Sequence, residues 1–178
     1  MPRLPAAPQK VRVIVLRHGP AELRDPRRWP DDTHRPLTGK GRKETRRAAR
    51  GLSRLLGAVD HVATSGAVRA RATAEALVEA LNGTHSLETW EELASGALAP
   101  PIFERLRRSV GSGGSIVLVG HEPTLAQFIG LALVGEGISL VKLTKGGAAC
   151  LEFPAALRPH AGRLTWLLTR SQLADAGG

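Results

Sequence analysis

The chain has no tyrosine and only Trp 3 and Phe 3 among its 178 residues, so aromatic rings supply little of its interior. Leu, Val, Ile and Ala must build the core, and this length is enough for one domain to do so. The same scarcity leaves few platforms for stacking nucleic-acid bases. Cysteine is nearly absent. Cys150 stands alone, so no intrachain disulfide can form, and a reducing, cytoplasmic location is expected. Its neighbours, Ala148-Ala149-Cys150-Leu151, predict a packed and inert thiol. Long apolar runs are also missing. Residues 13–16 are too few for a signal-peptide core and run into Arg17. The Leu-rich stretch after Phe128 is broken by Glu136 and Lys142, so no membrane span is expected. The six His show no metal-ligand spacing with Cys, Asp or Glu. Neither a metal nor another cofactor is expected.

Positive charge, by contrast, is abundant. Lys+Arg 25 against Asp+Glu 16 gives a formal net charge of +9. This favours anionic partners, phosphorylated ones included, through long-range steering. It also permits weak nucleic-acid binding. The basic residues are mostly Arg and are spread along the chain, as on a solvated surface. No specific nucleic-acid site is expected, because no recognition motif accompanies the charge.

Proline-rich residues 1–10 read as a disordered arm, 11–170 as a single domain, and 171–178 as a tail. Residues 11–16 are a β-branched run and predict a buried strand. Residues 17–37, rich in Pro, Arg and Asp, predict a long loop, often a functional feature in a compact domain. Helices are predicted over 38–56, 68–81, 102–110 and 124–134. The last repeats apolar residues at i, i+3, i+4, i+7 and i+8. Further strands are predicted over 61–64, 115–119, 139–143, 148–153 and 164–168. Residues 87–101 read as a connection. Strands alternating with helices point to an α/β domain with a largely parallel sheet.

Sites in such sheets form beyond the carboxyl ends of the strands. Three predicted strands end in polar residues suited to phosphate. One delivers Arg17-His18-Gly19, another Ser65-Gly66-Ala67-Val68-Arg69, and the third Gly120-His121-Glu122-Pro123. If these strands are parallel neighbours, two His and two Arg meet on one edge. A phosphoryl group in transfer spreads negative charge over its equatorial oxygens, so catalysis is mostly positioning and charge stabilisation. Arg17 and Arg69 each offer a planar fork of N–H donors. His121 can add another donor. His18 can attack phosphorus only if one ring nitrogen is unprotonated, and a hydrogen bond at the other would fix the tautomer. Gly19, lacking Cβ, would let the backbone approach the phosphate.

The segments VIVLRHGPAE, RPLTGKGRKE, TSGAVRARATAEAL and IVLVGHEPTL, with KGGAACLEF and LTWLLT near the end, resemble the histidine phosphatase (phosphoglycerate mutase-like) superfamily, in particular its SixA-like phosphohistidine phosphatase branch. The resemblance covers residues 11–169. It implies a three-layer α/β/α fold with a mostly parallel central sheet, and a metal-independent phosphatase without cofactors. His18 would be the nucleophile, and Arg17, Arg69 and His121 would complete the phosphate pocket. The Arg of the RPLT segment would face the site as well, which adds Arg35 to the phosphate- and substrate-binding set of Arg17, Gly19, Arg69 and His121. The family's usual Ser-Pro-Leu-x-Arg-Ala-x-Gln-Thr is altered here at Gly66, Ala67 and Ala72, but Arg69 stays in register.

Simpler roles compete for some of these residues. Arg35 could pair with Asp31 or Asp32 on the loop. Ser65 reads as a helix-entry cap. Arg71 should point away from Arg69. A general acid is not singled out: Glu22, Asp31, Asp32, Glu91 and Glu92 all lie in loops able to reach the site. An alcohol leaves badly without a proton, whereas the imidazole of phosphohistidine can take its proton on its other nitrogen. The expected partner is therefore a phosphorylated protein, phosphohistidine first. The alternatives are a phosphatase or mutase of a small phosphate ester and a non-catalytic phospho-binding module.

Overall fold

In the computed structural model, residues 10–83, 85–110, 113–154 and 156–177 are described. Nine of the ten residues read as an N-terminal arm, and part of the Gly/Ser turn at 111–114, lie outside them. Lys10, the exception, pairs through its ammonium with Glu152 at 3.2 Å.

Strand β1 (Val11–Arg17) sits inside a six-stranded sheet. Its alternation supplies both faces. Val13 and Val15 join one apolar core and Ile14 and Leu16 the other, as the two-fold periodicity of a strand requires. The remaining strands are β2 (His61–Thr64), β3 (Leu87–Thr89), β4 (Ser115–Gly120), β5 (Ala148–Phe153) and β6 (Arg163–Leu168). Their order is β3-β2-β4-β1-β5-β6. The pairs β3/β2, β2/β4 and β4/β1 are parallel, while β1/β5 and β5/β6 are antiparallel. The mostly parallel sheet expected from the alternation is thus present, closed by an antiparallel edge.

Helices cover both faces. On one side lie α1 (Gly39–Leu56) and α2 (Val68–Ala80), contributing Leu52, Leu56, Ala74 and Leu77 to a shared core. On the other lie α3 (Pro100–Ser109) and α4 (Thr124–Val134), contributing Ile102, Phe103, Leu106, Phe128 and Ile129. This is the α/β/α layering that the resemblance implies. Thr38 caps α1 by accepting from the Gly41 N–H, a standard start signal. Cys150 is buried in β5, opposite Ile14, and burial pushes its thiol pKa up. Among the described residues no helix is long and apolar enough to cross a membrane.

Three elements differ from the sequence reading. Residues 139–143 are irregular rather than a strand. Their backbone is taken by side chains: Arg17 donates to the Leu143 carbonyl at 2.7 Å and the Leu143 N–H donates to Glu122 at 2.9 Å. The connection at 87–101 contains β3, whose three residues are too few to show a period. The segment read as a tail starts as helix α5 (Arg170–Asp175), with a capping box from Thr169 and Gln172. Its Leu173 is buried against α1.

Candidate active site

Strand register brings the predicted residues together. Arg17 pairs with Gly120 across β1 and β4, and Thr64 with Val119 across β2 and β4. The next residues, His18, His121 and Ser65, therefore emerge side by side at the carboxyl edge. The His18 N–H donates to the Gly120 carbonyl at 3.1 Å, and the Ser65 N–H to the Val119 carbonyl at 3.1 Å. The His18 and His121 rings lie 5.0 Å apart, centre to centre. Arg69 reaches the same cleft from the first turn of α2, and Arg17 from the end of β1.

His18 is only 5% exposed. Its Nδ1 lies 2.7 Å from the Gly19 carbonyl oxygen. A carbonyl only accepts, so Nδ1 carries the proton. Burial, offset in part by that hydrogen bond, and the neighbouring His121, Arg69 and Arg17 side chains push the His18 pKa down from the ordinary 6.5 to about 3. The ring is neutral at physiological pH and Nε2 keeps its lone pair. His121 is lowered to about 4, first by burial and then by Arg69. Burial likewise lowers the pKa values of Arg17 and Arg69, which remain charged at working pH. Both guanidiniums leave a buried Nε without a hydrogen-bond partner. Such donors are costly to strand.

The pKa depressions carry a stability consequence. Above pH 6.5 both histidines are neutral folded and unfolded, so they add no pH dependence. Between pH 6.5 and about 4 the unfolded chain binds protons that the folded chain refuses, so stability falls as pH falls. Asp32 and Asp60, held below the ordinary 3.8, add their loss further down. Thermal melts from pH 7.5 to 4.5 will show a falling Tm, and the slope will be shallower in His18→Asn. An equal slope in both proteins contradicts the buried neutral histidine.

Several sequence assignments need correction. Gly19 does not line the cleft with the phosphate-type residues. Its N–H donates to Thr73 at 3.0 Å, and its carbonyl orients His18. A Cβ at this position would fall 2.0 Å from the Thr45 hydroxyl oxygen. Glycine is needed here for packing against α1. Gly19→Ala is expected to cost roughly 1–3 kcal/mol in chemical denaturation, and an unchanged midpoint would refute the tight fit. Ser65 is not a helix cap; α2 is capped by Ala67, without a side-chain bond. Its hydroxyl lies 2.7 Å from His121 Nε2 and fixes that ring. Arg35 does line the cleft, but its fork is spent elsewhere. Nε bonds the Asp32 carboxylate at 2.8 Å and NH1 the Glu22 carbonyl at 2.7 Å. Arg71, as expected, points away from Arg69 and pairs with Glu75 at 3.0 Å on the surface.

Of the five candidate acids, only Asp32 lines the cleft. Asp31 turns to the Thr33 N–H and His34. Glu91 borders a wider groove beside the cleft, floored by Gly66 and Ala67. Glu122, Arg24 and Lys145 also line the cleft and had no distinguishing sequence signal. Glu122 follows His121 directly, so the same strand end delivers both.

With this geometry in place, known proteins show where it belongs. A family model described as the histidine phosphatase superfamily (branch 1) matches residues 13–99. An uncharacterized protein of Picosynechococcus sp. is 33% identical over 159 residues, covering 88% of this chain and 94% of its own. The chain belongs to the histidine phosphatase superfamily. Within it, the chain is similar to SixA structures. The protein histidine phosphatase SixA complexed with tungstate has a TM-score of 0.75 at 24% identity, covering 91% of this chain and 99% of the other. A putative phosphohistidine phosphatase SixA from Agrobacterium tumefaciens has a TM-score of 0.71 at 25% identity, covering 89% and 97%. The fold also extends to a putative alpha-ribazole-5'-P phosphatase from Escherichia coli, with a TM-score of 0.70 at 14% identity, covering 90% and 97%. Phosphatase chemistry is thus the family's property, and its substrates vary.

Proposed function

We propose that this chain is a metal-independent phosphohistidine phosphatase with His18 as its phosphoryl acceptor. The observation that carries the reading is the 2.7 Å contact from His18 Nδ1 to the Gly19 carbonyl, on a ring that burial keeps neutral. Nε2 is then the attacking atom. In the first step Nε2 bonds to phosphorus as the substrate N–P bond breaks, and the leaving imidazole takes a proton. In the second, water attacks phosphorus, the P–Nε2 bond breaks, and orthophosphate leaves. Arg17, Arg69 and His121 hold the equatorial oxygens throughout.

Substrate class follows from the acids. A general acid must be protonated when the bond breaks. Asp32 is held ionised, below the ordinary carboxylate range, chiefly by its hydrogen bond from Arg35. Glu122 accepts from the Leu143 N–H. An ionised Asp32 cannot protonate an alkoxide, whereas an imidazole needs no such donor. A protein substrate fits an open cleft continuous with a wider groove. One domain from residue 11, with α5 packed onto it past residue 170, and a cytoplasmic location belong to the same reading, the latter supported by a single, buried cysteine.

The test compares kcat/KM for a protein phosphorylated on histidine with that for phosphoserine and a sugar phosphate. The phosphohistidine protein is expected to be preferred by about tenfold or more, roughly the least that a missing acid costs an alcohol leaving group. Faster turnover of an ester overturns the substrate assignment. Phosphate binding without turnover of any donor would point to a non-catalytic module.

A further inference from the structure

We propose that Asp32 is a built-in competitor of the phosphoryl group: its carboxylate and the phosphoryl oxygens are alternative acceptors for Arg69. The inference rests on the cleft being a phosphoryl site, and it goes further by assigning a residue that keeps phosphate affinity low.

The segment Asp31-Asp32-Thr33-His34-Arg35 is folded to present that carboxylate. Asp31 opens a short 3-10 turn by accepting from the Thr33 N–H at 2.9 Å. At three residues per turn, positions i and i+3 eclipse, which stacks Arg35 on Asp32. The Arg35 Nε then bonds one carboxylate oxygen at 2.8 Å and NH2 the other at 3.2 Å. NH1 anchors the pair to the Glu22 carbonyl at 2.7 Å. Across the cleft, Arg69 NH2 meets the second carboxylate oxygen at 2.9 Å, and NH1 donates to the Asp32 carbonyl at 2.6 Å.

Two features make this more than a surface ion pair. Arg69 is 3% exposed and fixed in the first turn of α2, so it cannot leave the cleft to serve Asp32. Asp32 itself lies in the partly exposed 3-10 turn before α1, and its carboxylate keeps Arg35 as a partner when Arg69 turns to phosphate. A phosphate anion reaching Arg69 meets the Asp32 carboxylate already on NH2 and the Asp32 backbone carbonyl already on NH1. Like charges this close repel by an amount comparable to a good ion pair. The cleft carries Arg17, Arg24, Arg35, Arg69 and Lys145 against Asp32 and Glu122, a concentration of positive charge that favours retention of orthophosphate after hydrolysis. Product release limits many enzymes, and an internal anion counters retention.

Calorimetric titration with inorganic phosphate tests this in the wild type, Asp32→Asn and Asp32→Glu. Asp32→Asn, nearly the same shape without the charge, is expected to bind phosphate about tenfold more tightly. Asp32→Glu, which restores the charge, is expected to stay within about twofold of the wild type by the same argument. Melts without phosphate check folding, and Asp32→Ser replaces the Asn variant if that one is unstable. Binding by the neutral variant that equals or falls below the wild type overturns the inference: Asp32 would then only hold Arg69 in place. Phosphate binding by none of the proteins overturns the phosphoryl-site reading as well. Binding is measured without turnover, so the two failures are distinct.

Discussion

His18→Asn is expected to fold and to lose turnover by roughly six orders of magnitude, the scale on which removing a nucleophile acts elsewhere. The asparagine amide can keep the hydrogen bond to the Gly19 carbonyl that Nδ1 makes at 2.7 Å. It removes the Nε2 lone pair and little else. Folding is therefore retained, with Tm at pH 7.5 close to the wild type, while steady-state phosphate release from a phosphohistidine protein disappears. A variant retaining more than about a tenth of the wild-type rate would exclude His18 as the covalent acceptor.

Arg69 carries the second large effect. Its guanidinium is buried, its Nε has no acceptor, and it lies among His18, His121 and Arg35. Arg69→Gln is expected to lower kcat/KM by about 10²–10³, the range seen when one charge-stabilising donor is lost. Arg69→Lys should recover only part of that, because an ammonium cannot present a planar fork. Folding is spared for a specific reason: Asp32 keeps Arg35 as a partner when Arg69 is gone. Measured kcat/KM, with binding of inorganic phosphate as a second readout, checks both variants. Equal activity in Arg69→Lys and the wild type would show that charge alone suffices.

Much of this was legible in the sequence because the sheet converts strand ends into a shared edge. Arg17-His18, Ser65 and His121 each follow an apolar run. Parallel pairing of β1, β4 and β2 brings those runs into register. What periodicity cannot show is which loop side chain meets which. Ser65 looked like a cap because serine commonly is one, yet its hydroxyl is claimed by His121 from the neighbouring strand. Gly19 looked like a phosphate-facing residue, yet Thr45 and Thr73 surround it. Arg35 was implied as a phosphate ligand by its RPLT segment, and the rival pairing with Asp32 is the one formed. Residues 139–143 have strand-like composition but meet Arg17 and Glu122 rather than another strand. Except for the Arg35–Asp32 pair, which is three residues apart and was one of two readings open in the sequence, a contact between residues distant in the chain decided the outcome, and such contacts leave no local pattern.

The central claim is that phosphate passes through one atom, His18 Nε2. Rapid quenching in base after mixing with a phosphorylated donor, followed by phosphorus-31 NMR and peptide mass spectrometry, tests it directly. The account predicts acid-labile phosphate on His18 alone, bonded at Nε2, since Nδ1 is committed to the Gly19 carbonyl. Phosphate bonded at Nδ1, or carried by any other residue, would contradict it.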